Sequence, residues 1–330
     1  MERNSLIQTV LATKTERLDK LLQKFLDVSR NQIEQLIKKG YVSVNGNIVT
    51  KAGFKVQLED IIEYSLPKVE KKECGIVDFD VEIIYEDDDI MVINKPSPLV
   101  VHPASSVKEA TLVDWLRQKG VSLSTISGEE RHGIVHRLDK ETSGAMVIAK
   151  NNESHEKLSL QLQDKSMGRY YVAIIDYPLK EDLCVEKPIA RNPANRLKMG
   201  VVSGGKYAKT AFKKLAVCKH GNFELIAAKL YTGKTHQIRV HLSALGRHIV
   251  GDGLYGFKSK NDTIRRIMLH AYILYLIHPK SGETLYFVAP FPESIFSEIS
   301  TCIAKEKLHE VLDSNSLLNA FNDCDRWLFQ

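Results

Sequence analysis

His136-Arg137-Leu138-Asp139-Lys140-Glu141-Thr142-Ser143-Gly144 sets one carboxylate between two basic residues, in a segment with neither helical nor strand periodicity. A cation within roughly 4–6 Å lowers a carboxyl pKa by about 1–3 units, so Asp139 reads as a carboxylate kept ionised for chemistry, as nucleophile or base. Taken alone, Arg137-Leu138-Asp139 fits a turn aspartate in a surface ion pair equally well, and such pairs contribute little. The choice depends on what surrounds the segment.

Downstream of it, Gly144–Ala149 is a short apolar run of the kind that forms a buried strand. Similar runs recur at 81–85, 90–94, 170–175, 211–216, 223–229 and 285–289, with Glu86-Asp87-Asp88-Asp89 as the turn between the first two. Helical patterns fit Thr111–Lys119, Glu153–Lys165, His236–Ala244 and a tail from about Pro292. Strands that do not alternate regularly with helices predict an α+β domain with a mixed, largely antiparallel sheet rather than a doubly wound one.

The first 66 residues read as a separate small α/β unit. Leu18, Leu21, Leu22, Phe25 and Leu26 recur at helical spacing. Ser29 is placed to cap a second helix, with Gln32 completing a capping box and Gly40 ending it. Asn45-Gly46-Asn47 between Tyr41–Val44 and Ile48–Thr50 is a hairpin signal. Polar residues 67–76 have the composition of a linker, a catalytic-size domain follows over 77–300, and residues 301–330 form a helical extension whose Leu308, Val311 and Leu312 suggest packing against that domain.

Length and composition are those of a two-domain globular protein: 330 residues, 43% hydrophobic and 26% charged. There is no apolar run of membrane-spanning length and no secretory signal, so a cytoplasmic protein is expected. The five cysteines form no Cys-x-x-Cys pair and are expected to be buried or free thiols. Charge is unevenly spread. Between Lys165 and Arg239 there are 15 Lys or Arg against 5 Asp or Glu, whereas Asp78–Asp89 holds seven acidic residues and no basic one. A basic middle of this length points to a polyanionic partner.

Three further segments carry polar groups that could converge with Asp139: Asn94-Lys95-Pro96 running into a proline-stiffened loop, Arg169-Tyr170-Tyr171 on an expected strand, and Leu230–His241, with Gly233-Lys234-Thr235-His236 at a helix start. Gly233-Lys234-Thr235 is not a phosphate-binding P-loop, since Ala228 stands where its first glycine is required. His132 and His136 are four apart, but Gly133 and Val135 argue against a helical zinc pair and no ligand set completes it, so no metal is expected. Neither a Gly-x-Ser-x-Gly elbow nor the second partnered carboxylate of a glycosidase is present.

Read together, His136-Arg137-Leu138-Asp139-x-x-Thr142-Ser143-Gly144, Asn94-Lys95-Pro96, Arg169–Ala173, Gly251-Asp252-x-x-Tyr255-Gly256 and Leu269-His270-Ala271 resemble the RluA type of ribosomal large-subunit pseudouridine synthase over about residues 80–290. Ser97-Pro98 and Ala145 depart from the family pattern, at no catalytic position. Arg17-Leu18-Asp19-Lys20, Ser29-Arg30 and Lys39–Gly46 resemble the S-four-like RNA-binding domain. The resemblance implies a base-flipping RNA isomerase without cofactors. Asp139 would be the catalytic aspartate, Tyr171 the active-site tyrosine, and Arg239 the partner of that aspartate. Arg137, Lys95, Thr142, Lys234, His236 and Ile238 would meet the substrate, and Arg17, Lys20, Arg30 and Lys39 the RNA. The implied partner is large-subunit ribosomal RNA, bound by a monomer. The alternatives are a synthase acting on tRNA and an inactive RNA-binding or ribosome-assembly factor.

Overall fold

The computed structural model describes residues 7–26, 30–65, 77–103, 107–124, 126, 132–218, 223–258, 264, 266–301, 303–322, 324 and 327–329, without the side chains of 30–32, 296, 298, 328 and 329. The expected linker (67–76) and the Ser29 cap lie outside the described residues. The chain divides into two compact units, Met1–Glu73 and Cys74–Gln330.

The first unit runs β1 (Ile7–Leu11), β2 (Glu16–Arg17), α1 (Leu18–Leu22), α2 (Arg30–Lys38), β3 (Val42–Val44), β4 (Asn47–Ile48), β5 (Lys55–Val56) and β6 (Ile61–Ser65). Strands β1-β6-β3-β4 make one antiparallel sheet. Asn45 (φ 49°) and Gly46 (φ 77°) both take positive φ, the geometry a two-residue hairpin needs, which is why Asn-Gly marked the turn. Leu18, Leu21, Leu22, Ile33 and Ile37 close over Val42, Val44 and Ile62 as a core. The first helix is shorter than its apolar spacing predicts: it ends at Leu22, and Phe25 is 52% exposed. The edge strand β1 and its neighbour β6 were not foreseen.

The second unit begins with β7 (Glu82–Glu86) and β8 (Ile90–Lys95), then α3 (Leu112–Gln118), β9 (Ser143–Ala149), α4 (Asn152–Asp164) and β10 (Gly168–Ile175). It continues through β11 (Leu183–Glu186), β12 (Ile189–Arg191), β13 (Met199–Val201), β14 (Lys209–Val217), β15 (Glu224–Leu230), α5 (Gln237–Ala244), β16 (Leu269–Ile277) and β17 (Thr284–Val288). It ends with α6 (Glu293–Ser300), α7 (Lys305–Val311), α8 (Ser314–Asn319) and β18 (Leu328–Phe329). A ten-stranded sheet runs β18-β11-β14-β15-β10-β16-β9-β8-β7, with β17 also on β16. Among the described residues only β9·β16 and β11·β18 are parallel, so the architecture is the α+β, largely antiparallel one expected. Local chemistry accounts for the helix starts. Thr111 and Asp114 form a capping box on α3, and the Asn151 side chain accepts from Ser154 N–H at the start of α4.

The segment read first is placed by a close approach. Gly144, the second residue of β9, has φ 119°, and a Cβ there would lie 2.2 Å from the Ala271 carbonyl oxygen of β16. Only glycine lets β9 and β16 pair in parallel at His270–Ala271 against Ser143–Gly144, which holds the loop carrying Asp139 at the middle of the sheet. The central strand β16 was not foreseen, and neither were β11–β13 or the terminal β18. Leu308, Leu312, Leu317, Phe321 and Cys324 of the chain's end join the main core. Cys184 and Cys324 are buried, but Cys218 is disulfide-bonded, a correction to the expectation of thiols throughout.

Candidate active site

Three pieces of chain converge on a cavity of about 430 Å³: the loop before β9, which supplies Arg137, Asp139 and Thr142; strand β10, with Arg169 and Tyr171; and the turn from β15 into α5, with Lys234, His236, Ile238 and Arg239. Strand alternation separates the two adjacent tyrosines of β10. Tyr170 packs on Tyr275 and Phe321, and Tyr171 lines the cavity. The β10·β16 register shifts between them, so Tyr171 sits at a bulge, a common device for aiming a side chain beside a site. The turn into α5 is held by Gln237. Its Oε1 accepts from Thr232 Oγ1 (2.7 Å) and Lys234 N–H (3.0 Å), while its Nε2 donates to Thr210 Oγ1 (2.9 Å). His236 caps α5 in the left-handed region, φ 57°.

Among the described residues, Asp139 is the one carboxylate on the cavity wall, beside Arg137, Lys165, Arg169, Lys234 and Arg239. Its Oδ2 lies 3.7 Å from Arg239 Nη1 and 3.9 Å from His236 Nε2. The two chain neighbours that first suggested an ionised carboxylate point elsewhere, Arg137 to His102 (3.2 Å) and Lys140 to Glu109 (3.0 Å). Arg239 approaches Asp139, yet its stronger partner is Asp252. Arg239 Nε and Nη2 donate to the two carboxylate oxygens of Asp252 at 2.7 and 2.9 Å, both side chains being buried. Planar two-point pairing of this kind fixes a guanidinium in orientation as well as position. The Tyr255 ring lies 4.9 Å from the Arg239 guanidinium, and Tyr255 Oη hydrogen-bonds with His236 Nδ1 at 2.9 Å. Both groups facing Asp139 are therefore braced from the turn at 252–255. The Arg239–Asp252 pairing and the Tyr255 brace were missed; the Gly251-Asp252 segment was the available signal, but a pairing across 13 residues has no signature in spacing.

Burial pushes the His236 imidazole below its usual range, opposed by the charge of Asp139, and pushes the Tyr171 phenol up. Behind the wall, Val147 N–H donates to His136 Nε2 at 3.1 Å, and Arg169 Nη1 meets its Nδ1. Burial, then Arg169, push His136 well below the usual histidine range.

The other expected contacts divide. Arg137, Thr142, Lys234, His236 and Ile238 line the cavity, and Thr142 N–H donates to the Asp139 carbonyl at 3.1 Å, closing the turn. Lys95 is placed apart from these: it is fully buried and outside the lining, and its Nζ donates to the carbonyls of Pro96 (2.7 Å), Leu99 (2.9 Å) and Lys140 (3.3 Å). It ties the proline loop to the residue after Asp139. In the first unit Lys20 and Lys39 are exposed, Arg17 is paired two-point with Asp19 (2.9 and 2.9 Å), and the Arg30 side chain lies outside the described residues. Asp87, Asp89 and His278 cluster near β8, but each is engaged by protein: His278 Nε2 and Tyr85 Oη contact Asp87, and Asn151 donates to Asp89.

Comparison with known proteins places this geometry. Residues 89–244 match the RNA pseudouridylate synthase family, and residues 16–62 match the S4 domain. An uncharacterized RNA pseudouridine synthase of Helicobacter pylori is 46% identical over 322 residues, spanning 94% of this chain and 98% of its own. Ribosomal large subunit pseudouridine synthase D of Neisseria meningitidis is 39% identical over 311 residues, 91% of this chain and 81% of its own. The solved structure of human RNA pseudouridylate synthase domain containing 1 aligns with a TM-score of 0.55 at 25% identity, over 71% of this chain and 95% of that one. With relatives this similar over nearly their full length, the chain belongs to the RNA pseudouridine synthase family.

Proposed function

We propose that this synthase isomerises uridines of large-subunit ribosomal RNA, with Asp139 as the catalytic carboxylate, Arg239 and His236 orienting it, and Tyr171 against the uracil. The observation that carries the assignment is that, among the described residues, Asp139 alone brings a carboxylate to a cavity whose wall also holds Arg137, Lys165, Arg169, Lys234 and Arg239. The name of the Neisseria relative supports the choice of RNA. The isomerisation breaks the N1–C1′ bond, turns the uracil and forms the C5–C1′ bond; N1 gains a proton and C5 loses one, so no redox partner is consumed. A uridine must leave its stack to enter a cavity of this kind, at a cost of a few kcal/mol, offset by phosphate and stacking contacts.

Asp139 is the group able to attack the ribose or the ring or to take a ribose proton, and a planar guanidinium 3.7 Å away helps to orient it. A Tyr171 phenol pushed up by burial stays neutral, which suits stacking better than accepting the C5 proton. Lys20 and Lys39 in the first unit would add phosphate contacts, and the cytoplasm is the compartment in which ribosomal RNA meets such an enzyme. The test is tritium release from RNA carrying C5-labelled uridine. Asp139→Asn should keep the wild-type melting profile and lose at least about 10²–10⁴ in rate, the span for removing a positioned catalytic group. Release near the wild-type rate would remove Asp139 from the chemistry, and no release by the wild type would favour an inactive RNA-binding factor.

A further inference from the structure

The turn that carries Asp139 is pinned at each residue that follows it. Thr142 N–H donates to the Asp139 carbonyl at 3.1 Å, the Lys140 carbonyl accepts from Leu99 N–H (3.0 Å) and Lys95 Nζ (3.3 Å), and the Glu141 carbonyl accepts from Ser97 Oγ (2.8 Å). Ser143, where the turn enters β9, is held by its side chain. Its Oγ lies 2.7 Å from Arg266 Nη2 and 2.8 Å from His270 Nδ1. The far end of this chain sets the directions: His270 Nε2 faces the Ala289 carbonyl at 3.2 Å, so it carries the proton and Nδ1 accepts. Burial holds His270 down to about 4 and so keeps the ring neutral. Arg266 therefore donates to Ser143, and Ser143 to His270.

Arg266 is an expensive way to make that bond. It is half-buried, and among the described residues it forms no salt bridge; its other bond is a long one, from Nε to the Ile267 carbonyl at 3.4 Å. Burial lowers its guanidinium from the usual value, with Glu141 opposing. A cation placed where solvent is scarce, with no carboxylate against it, costs free energy that a neutral donor would not. What the charge supplies is a hydrogen bond roughly twice as strong as a neutral one. Of the side chains that pin the turn (Lys95, Ser97, Arg266 and His270), only Arg266 also lines a cavity with Asp139, a second one of about 390 Å³ whose wall includes His236 and Arg239. Arg266 thus borders the same space as the carboxylate and grips the strand end four residues beyond it.

We propose that Arg266 is a positioning residue of the isomerisation: through its bond to Ser143 Oγ it fixes the turn 139–142, so that the Asp139 carboxylate meets the reacting nucleotide in one orientation. Arg239 and His236 face the carboxylate itself, whereas Arg266 sets the backbone that carries it. A carboxylate that must reach one atom of a bound nucleotide depends on such placement, and a misplacement of about 1 Å costs the chemical step far more than it costs binding. This inference rests on the reading of Asp139 as the catalytic group.

Single-turnover tritium release at saturating RNA, equilibrium binding of the same RNA and thermal melting would be measured on the full-length protein for Arg266→Ala, Ser143→Ala and the double variant. Each single variant should lower the rate about 10–100-fold, the span for one hydrogen bond to a charged group, with RNA affinity unchanged. The double variant should fall within about twofold of the slower single one, because both remove the same bond. Arg266→Lys, which keeps a charged donor on a flexible stem, should recover most of the lost rate. Wild-type rates in both single variants, or losses that multiply in the double one, overturn the action through Ser143. A fall in affinity with the saturated rate unchanged makes Arg266 an RNA contact and overturns it as well, as does a loss of rate that only follows the unfolded fraction in the melting curves. If Arg266→Ala does not fold, Ser143→Ala reads the same bond from its other end. Asp139→Asn separates the two readings: near-wild-type release by that variant overturns the catalytic role of Asp139 and this inference with it, whereas an inactive Asp139→Asn beside an unimpaired Arg266→Ala overturns this inference alone.

Discussion

Asp252→Asn is the substitution that most directly tests how the site is braced. Asp252 is 1% exposed, and its two oxygens take Arg239 Nε and Nη2 at 2.7 and 2.9 Å. Asparagine keeps the volume but offers one oxygen and one NH₂ donor, so one charge-assisted bond is lost and a donor is turned toward a donor. Breaking a buried pair by neutralising one partner costs about 3–5 kcal/mol. The second carboxylate near Arg239, Asp139 at 3.7 Å from Nη1, absorbs part of that cost by drawing the guanidinium toward itself. We expect a loss of about 2–3 kcal/mol in the urea unfolding of the second unit, between a lost charged hydrogen bond and the full penalty. A guanidinium displaced by about 1 Å should cost roughly 10²-fold in kcat, with KM changed little because the cations lining the cavity remain. Single-turnover tritium release under saturating RNA reads the chemical step, and equilibrium binding of the same RNA reads affinity. A kcat within twofold of wild type would show that Asp252 does not set the orientation of Arg239; a fall in affinity with unchanged kcat would make the pair a binding device.

Gly144→Ala should abolish soluble expression or lower the melting temperature sharply, since its Cβ would meet the Ala271 carbonyl oxygen at 2.2 Å with φ at 119°; a wild-type melting curve would refute the close approach. Lys95→Met addresses pH. Burial holds the Lys95 ammonium down to about 7 in the folded protein, against ~10.4 in an unfolded chain. Between those values the unfolded chain binds the extra proton, so this lysine's contribution to stability rises with pH by up to ~1.4 kcal/mol per unit. Wild type should therefore gain on Lys95→Met from pH 7 to pH 10 in denaturant titrations; a difference that shrinks over that interval would refute the assignment.

Much of the secondary structure was legible because local physics governs it. The Asn45-Gly46 turn, the helical pattern over Thr111–Lys119 and the apolar runs of β8–β10 are each specified by local conformation or by continuous burial. Elements whose reason is a distant partner were not legible. Strand β16 is a strand because β10, β9 and β17 all pair with it, and β18 because β11 offers an edge. Phe25 fits the helical spacing and is exposed all the same, because the helix stops three residues before it and spacing beyond its end has no face to define.

The sequence by itself settled that one aspartate, one tyrosine and one arginine deserved attention, and its glycines and Asn-Gly pair settled where the chain turns. Only the tertiary structure decided which charges act together. Arg137 and Lys140 flank Asp139 in the chain, yet they turn to His102 and Glu109, while Arg239 and His236, a hundred residues away, face it. The physical reason is that electrostatic coupling falls off with distance in space and with solvent screening, and neither is a function of separation along the chain. Lys95 shows the same division: its position in a loop of recognisable residues is written in the sequence, but its role as a pin follows from three carbonyls and the absence of solvent, which only folding assembles.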